Sequence, residues 1–185
     1  SLSFQICPIE SDAEINFYDE NIKYHLNTSS KESYENLANE INDNETIDCV
    51  FLQHEFGLFS EIDEALEDFI AKIEKEIVLT FHTVLPKPIN VLKDKIMRLS
   101  AMVNIIIVMT NSSANILKND YSVNKDKIVV IPHGTHLISM IDKKLLKKQL
   151  KLDYKFVIST FGLLGEGKNI ESTIQALPEI IKKHP

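Results

Sequence analysis

Apolar, β-branched runs recur along this chain, and four of them stop at a polar loop that carries a histidine or a glycine. They read Val50-Phe51-Leu52-Gln53-His54-Glu55-Phe56-Gly57, Val78-Leu79-Thr80-Phe81-His82-Thr83, Val129-Val130-Ile131-Pro132-His133-Gly134 and Val157-Ile158-Ser159-Thr160-Phe161-Gly162. Continuous hydrophobic runs are what strands look like in a sheet covered on both faces. Open α/β sheets bind their ligands just past the carboxyl ends of such strands. The pattern predicts strands over Phe4–Cys7, Lys23–Leu26, Ile47–Gln53, Ile77–Phe81, Ile105–Met109, Lys127–Ile131 and Lys155–Phe161. Ile105–Met109 hardly alternates, which predicts burial on both of its faces.

Helical spacing fills the intervals. Ser29 with Glu32 forms a capping box that opens a helix through about Ile41. Ser60 with Asp63 starts another, whose apolar stripe is Ile62, Leu66, Phe69, Ile70 and Ile73. Pro86 and Pro88 keep the next loop extended before a helix over Val91–Met102, with Leu92, Ile96, Leu99 and Met102 on one side. Ser112 or Ser113 caps a helix to Tyr121. Lys143–Lys151 is a short helix with lysines on its solvated side and Leu145, Leu146 and Leu150 facing inward, and Ile170–Lys183 is the last.

Strand and helix alternating through short loops predict βα units on a parallel sheet. After Gly134 the rhythm breaks, which places a domain boundary near residues 136–142. The N-terminal domain then covers 1–138. Residues 139–185 are too few to hold a core of their own and read as the beginning of a second α/β unit. The chain opens without methionine and stops straight off a helical pattern, so it reads as a piece of a longer protein.

Composition narrows the classes. With 44% hydrophobic and 25% charged residues the chain is a globular one, not a disordered one. A formal charge of −7 speaks against a nucleic-acid partner. No apolar stretch approaches the length of a membrane span and no signal peptide opens the chain, so a cytoplasmic protein is expected. Cys7 and Cys49 lie in apolar runs without metal-type spacing and read as reduced core thiols.

The chemistry sits in the loops. Gly162-Leu163-Leu164-Gly165-Glu166-Gly167-Lys168-Asn169 joins a strand to a helix, where glycine backbone, the helix N-terminus and Lys168 suit an anion. It nearly fits the nucleotide-binding P-loop, but Asn169 stands where a hydroxyl should ligate magnesium. A P-loop nucleotide site, a plain tight turn and a phosphate site of another kind are the three readings. His54, His82 and His133 each follow a buried-type strand, so together they predict a polar ligand site on one rim. His25, His136 and His184 read as structural. No i, i+4 histidine pair or acidic ligand set accompanies the rim, so no metal is expected.

In these residues the sequence resembles the retaining GT-B glycosyltransferases of family 4, in order over Ile47–Pro185. The likeness rests on Leu52-Gln53-His54-Glu55-Phe56-Gly57, on Thr80-Phe81-His82-Thr83-Val84-Leu85 and on Val108-Met109-Thr110-Asn111-Ser112-Ser113-Ala114. It continues through Tyr121-Ser122-Val123, Lys127 to Gly134, and Phe161-Gly162-Leu163-Leu164 with Gly167-Lys168-Asn169-Ile170-Glu171. The resemblance implies a Rossmann-like parallel sheet, the N-terminal domain of that fold without its first strand, followed by the first βα unit of the C-terminal domain.

It further implies a parent enzyme that transfers a sugar from a nucleoside-diphosphate sugar to an unidentified acceptor with retention, this chain alone being inactive. His54 matches a histidine that faces the transferred sugar, and is the candidate catalytic residue. Glu55, Phe56, Gly57, His82, Thr83, His133 and Gly134 match substrate-binding loops, and Gly162, Gly167 and Lys168 match the donor diphosphate site. No metal or cofactor is implied, since the nucleotide-sugar is a substrate. The acceptor is a glycan, a lipid-linked glycan or a small molecule; peripheral membrane contact and self-association stay open.

Three departures stand out: Leu163 where many members carry arginine, a donor-binding acidic motif that belongs beyond Pro185, and no first strand with its glycine-rich loop before Ser1. Loss of that strand would leave backbone edges open to pairing. A non-catalytic sugar- or nucleotide-binding module of the same fold is the rival reading.

Overall fold

The computed structural model describes residues 3–12, 18, 21–59, 64–153, 156–162, 165 and 168–184. The chain divides into two compact units, Ser1–Gly134 and Thr135–Pro185. In the first, β1 (Ile9–Glu10) and β2 (Leu26–Asn27) pair in parallel. A second parallel sheet runs β3 (Cys49–His54), β4 (Glu76–Phe81), β5 (Ile105–Val108) and β6 (Ile128–Val130), in that spatial order. The helix α1 (Lys31–Asp43) precedes β3, while α2 (Ala65–Lys72), α3 (Asn90–Met102) and α4 (Asn111–Asp120) are the successive crossovers. The architecture is the expected Rossmann-like α/β one. Right-handed crossovers that all step the same way put α2, α3 and α4 on one face of the sheet.

One core forms beneath those helices. Tyr34, Leu37, Ala38 and Ile41 of α1, at i, i+3, i+4 and i+7, meet Leu66, Phe69 and Ile70 of α2 and Ile96 and Leu99 of α3. The sheet contributes Leu52, Ile77, Leu79, Phe81, Ile106 and Val108. On the other face the strands behave differently from the expectation of burial on both sides. The central β4 is buried throughout after Glu76, but Phe51, Ile105 and Val129 are 60%, 41% and 41% exposed. The helices cover only one side, so strand parity decides exposure away from the sheet centre.

The helix starts correct the sequence expectations by a residue or two. Ser30, not Ser29, caps α1, its Oγ accepting from Ser33 N, because Ser29 Oγ is taken by Asp12 N. Thr110, not Ser112 or Ser113, caps α4, accepting from Ser113 N at 3.0 Å. Ser60, Ile62 and Asp63 lie outside the described residues, and α2 begins at Ala65. Phe4–Cys7 is not a strand; its ladder starts later, where Pro8 O accepts from Leu26 N. Both cysteines are free and partly buried. Burial, then the charge of Glu40, pushes the Cys7 thiol up to about 11, which leaves it unreactive near neutrality.

In the second unit α5 (Lys143–Gln149) and α6 (Ile170–Lys183) are the two helices among the described residues. Leu145, Leu146 and Leu150 are 54%, 40% and 60% exposed, not inward-facing. Residues 156–161 are not in a strand, and Phe156 and Phe161 stand in solvent. A strand exists only with a ladder partner, and no other strand of the second unit occurs among the described residues. No helix among them is long and apolar enough to cross a membrane.

Two polar devices fix the frame that carries the rim. Asn104 extends the β4–β5 ladder, its N donating to Ile77 O and its Oδ1 accepting from Ile77 N. Lys127, just before β6, donates from Nζ to Ser100 O, Ala101 O and Val103 O at 3.2, 3.0 and 2.7 Å. These carbonyls are the orphaned acceptors at the end of α3, and a cation suits the negative end of the helix dipole. Lys127→Met is expected to lower unfolding free energy by about 1–2 kcal/mol, with Lys127→Arg recovering part of it. Urea denaturation reads this directly, and an unchanged midpoint in Lys127→Met would show the contacts to be idle.

Candidate functional site

In a parallel sheet all carboxyl ends share one edge, so the residues after β3, β4 and β6 are neighbours although they lie far apart in sequence. His54 ends β3, and the ladder runs one step further, with His82 N donating to His54 O at 3.0 Å. His133 follows β6 by three residues, after Ile131 N has bonded Val108 O. The rings of His82 and His133 stand 6.4 Å apart between centroids.

The three imidazoles share the rim but not one orientation. His54 has the parity of Leu52, turns to the helix-covered side and is only 4% exposed. Its ring lies edge-on to Phe56 and Phe81, at 5.6 and 5.1 Å, and is stacked on Phe59 at 5.9 Å. Nδ1 has no hydrogen-bond partner. Burial chiefly, then the positive charge of Lys95, lowers the pKa to about 4, and Glu55 only partly opposes this. An unpaired buried nitrogen costs on the order of 1–3 kcal/mol, an expense that concentrates at functional positions.

His82 and His133 are exposed. His82 Nε2 lies 2.9 Å from Gln53 Oε1, and Gln53 Nε2 donates to Thr80 Oγ1 at 3.4 Å. His133 Nδ1 lies 2.9 Å from Gly134 O.

The loop after β3 is tied to the loop after β4. Glu55 Oε2 accepts from Thr83 Oγ1 at 2.8 Å, and Glu55 Oε1 from Phe56 N at 2.9 Å. Gly57 sits at φ +97°, a backbone state that disfavours any side chain there. Further along, Tyr121 Oη donates to Leu85 O at 2.8 Å, and Asp120 Oδ2 accepts from Lys87 N, a residue at φ +50°. The end of α4 therefore holds the loop that carries His82 and Thr83.

In the second unit Gly162 has φ +105° and is exposed, and Gly165 O accepts from Lys168 N at 2.9 Å. Lys168 is exposed; Gly167 and Leu163 lie outside the described residues. Asn169 precedes α6 at φ +48° without capping it, its Oδ1 accepting instead from Ser172 Oγ. No group of three or more His, Cys, Asp or Glu placed to hold a metal occurs among the described residues.

Sequence reasoning gave no site role to Gln53, Thr80, Phe59, Asp120 and Tyr121, although Gln53, Thr80 and Tyr121 lie in the runs that carry the family likeness. Gln53 carried a usable signal: it is the one polar residue inside the strand, on the parity opposite to His54. The roles of the others depend on contacts between elements, as Tyr121 Oη meets Leu85 O and Asp120 Oδ2 meets Lys87 N, which no local pattern states.

The buried imidazole makes a pH prediction. Between about 4 and the ordinary 6.5 the unfolded chain binds a proton that the folded His54 refuses. Stability is therefore complete above 6.5 and falls as pH drops toward 4, by on the order of 3 kcal/mol from this group. His54→Phe is expected to flatten that part of the denaturation profile. An identical acid loss in both proteins would remove His54 as its source.

Residues 21–137, well over half of the chain, match the family model described as Glycosyltransferase Family 4. No curated protein and no solved structure matches the chain.

Proposed function

The chain belongs to glycosyltransferase family 4, and from that membership we propose that it is part of an enzyme transferring a sugar from a nucleoside-diphosphate sugar to a hydroxylated acceptor with retention. Glycosyl transfer in general follows from the family; donor, stereochemistry and acceptor are the proposal. The observation that carries it is the polar rim of the first unit, where His54, His82 and His133 stand at the carboxyl ends of strands joined in one parallel sheet.

In this reading the first unit serves the acceptor and the second begins the donor side. His82, Thr83, His133, Gly134 and the Glu55–Gly57 loop contact the sugar-bearing ligands. His54 takes the sugar-facing role once half-buried Phe56 swings off its ring. A neutral imidazole there donates or accepts a hydrogen bond without adding charge beside a developing oxocarbenium ion.

Lys168, Gly162 and Gly167 are assigned to the diphosphate. Leaving-group departure builds negative charge on its oxygens, and a lysine with nearby backbone N–H groups stabilises that charge without a metal. Lys168, exposed and two residues before α6, supports this assignment. The work is done where nucleotide-sugars are made, so we place the protein in the cytoplasm.

Lys168→Ala in the full-length enzyme is expected to weaken nucleoside-diphosphate binding about tenfold or more, or at least 1.4 kcal/mol, with acceptor binding unchanged. Calorimetry with the nucleotide and the acceptor separately reads both. Equal losses would remove Lys168 from the donor site, and a full-length protein releasing no nucleoside diphosphate from any nucleotide-sugar would sink the transferase reading.

A further inference from the structure

Hydrogen-bond chemistry at the rim fixes more than contact. A backbone carbonyl can only accept, so the 2.9 Å contact to Gly134 O puts the proton of a neutral His133 on Nδ1 and leaves a lone pair on Nε2. For His82 the same question is decided by Gln53. Gln53 Oε1 faces His82 Nε2 at 2.9 Å, while Gln53 Nε2 donates to Thr80 Oγ1 at 3.4 Å. Oε1 can only accept, so a neutral His82 carries its proton on Nε2 and its lone pair on Nδ1. Thr80, the partner of Gln53 Nε2, is only 5% exposed and lies in the central strand.

We propose that Gln53 is a positioning residue of this rim: its amide oxygen holds His82 as the Nε2–H tautomer, so that His82 Nδ1 and His133 Nε2 present two lone pairs to the hydroxyl groups of a bound ligand. Two acceptors on rings 6.4 Å apart recognise hydrogen-bond donors. That selects hydroxyls over carboxylate or phosphate oxygens, which have no proton to give. Identifying the hydroxyls as those of a sugar acceptor rests on the transferase reading; the tautomer does not. Gln53 touches the ligand only through His82.

The tautomer is read on the 185-residue chain by two-bond proton–nitrogen correlation spectra, recorded where the ring is neutral. The His82 resonances are identified by their loss in His82→Ala. The Nε2–H form is expected in the wild type, and in Gln53→Glu, since a carboxylate also only accepts. Gln53→Leu is expected to shift the ring to a mixture with Nδ1–H. Gln53 is exposed, and the backbone amide spectrum of the same samples reports whether each variant is folded.

An Nδ1–H ring in the wild type would mean the amide is turned the other way and would overturn the proposal. A Gln53→Leu spectrum identical to wild type would do the same. In a working transfer assay, Gln53→Leu should raise the acceptor KM several-fold and leave the donor KM unchanged. An unmoved acceptor KM would withdraw the ligand assignment even if the tautomer stands. Absence of any transfer activity together with the expected tautomer would count against the transferase reading alone.

Discussion

Six consecutive residue pairs, Cys49 with Glu76 through His54 with Phe81, lock β3 and β4 side by side in parallel, and the chemistry of the rim follows from that register. Because both strands end together, the residue after Phe81 can bond back to His54 O and bring the two loops into contact. Because successive side chains alternate, the same register sends His54 into the aromatic core and Gln53 to the side where His82 stands. A slip of one residue would exchange the two. It would place an imidazole among exposed groups and an amide against Phe59 and Phe81.

The rim combines groups that pull against stability with a frame that resists them. His54 keeps an unpaired nitrogen in an apolar box and is neutral because burial outweighs the help of Glu55. Around it the anchors are bonds between elements distant in sequence. Tyr121 and Asp120 hold Leu85 and Lys87, Glu55 holds Thr83, and the Arg98 fork on Glu67 joins α3 to α2 at 2.7 and 2.9 Å. Loops held this way lose less ordering entropy on binding a ligand, which suits the acceptor role proposed for this rim. Membership of a glycosyltransferase family gives that surface its context.

Edges and faces tell a complementary story. β3 is a terminal strand of its sheet, with Phe51 exposed beside exposed Gln53, while the neighbouring β4 is buried on both faces after Glu76. The apolar runs that looked alike in the amino-acid order thus have unlike environments. Val78 at 8% exposure and Phe51 at 60% are direct partners across the ladder, and only their distance from the sheet edge separates them.

Periodicity was enough to locate most elements. The helix over Ile170–Lys183 is as read, Val91–Met102 begins one residue earlier, and the parallel direction of β3 to β6 follows from strand–helix alternation, while their spatial order is seen in the fold alone. The imidazoles after β3, β4 and β6 were visible for the same reason, since a period of two or of 3.6 is a local property. What could not be read locally was any choice among equals. Thr28-Ser29-Ser30 and Thr110-Asn111-Ser112-Ser113 each offer several caps, and the selected one depends on what else claims the hydroxyl, as Asp12 claims Ser29. Leu145 and Phe156 are apolar in the sequence and exposed in the fold, because burial requires a partner and sequence composition does not supply one. The amino-acid order determined which residues reach the rim; the pairing of strands decided which way each one points, because parity has no inside until a neighbouring layer covers one face.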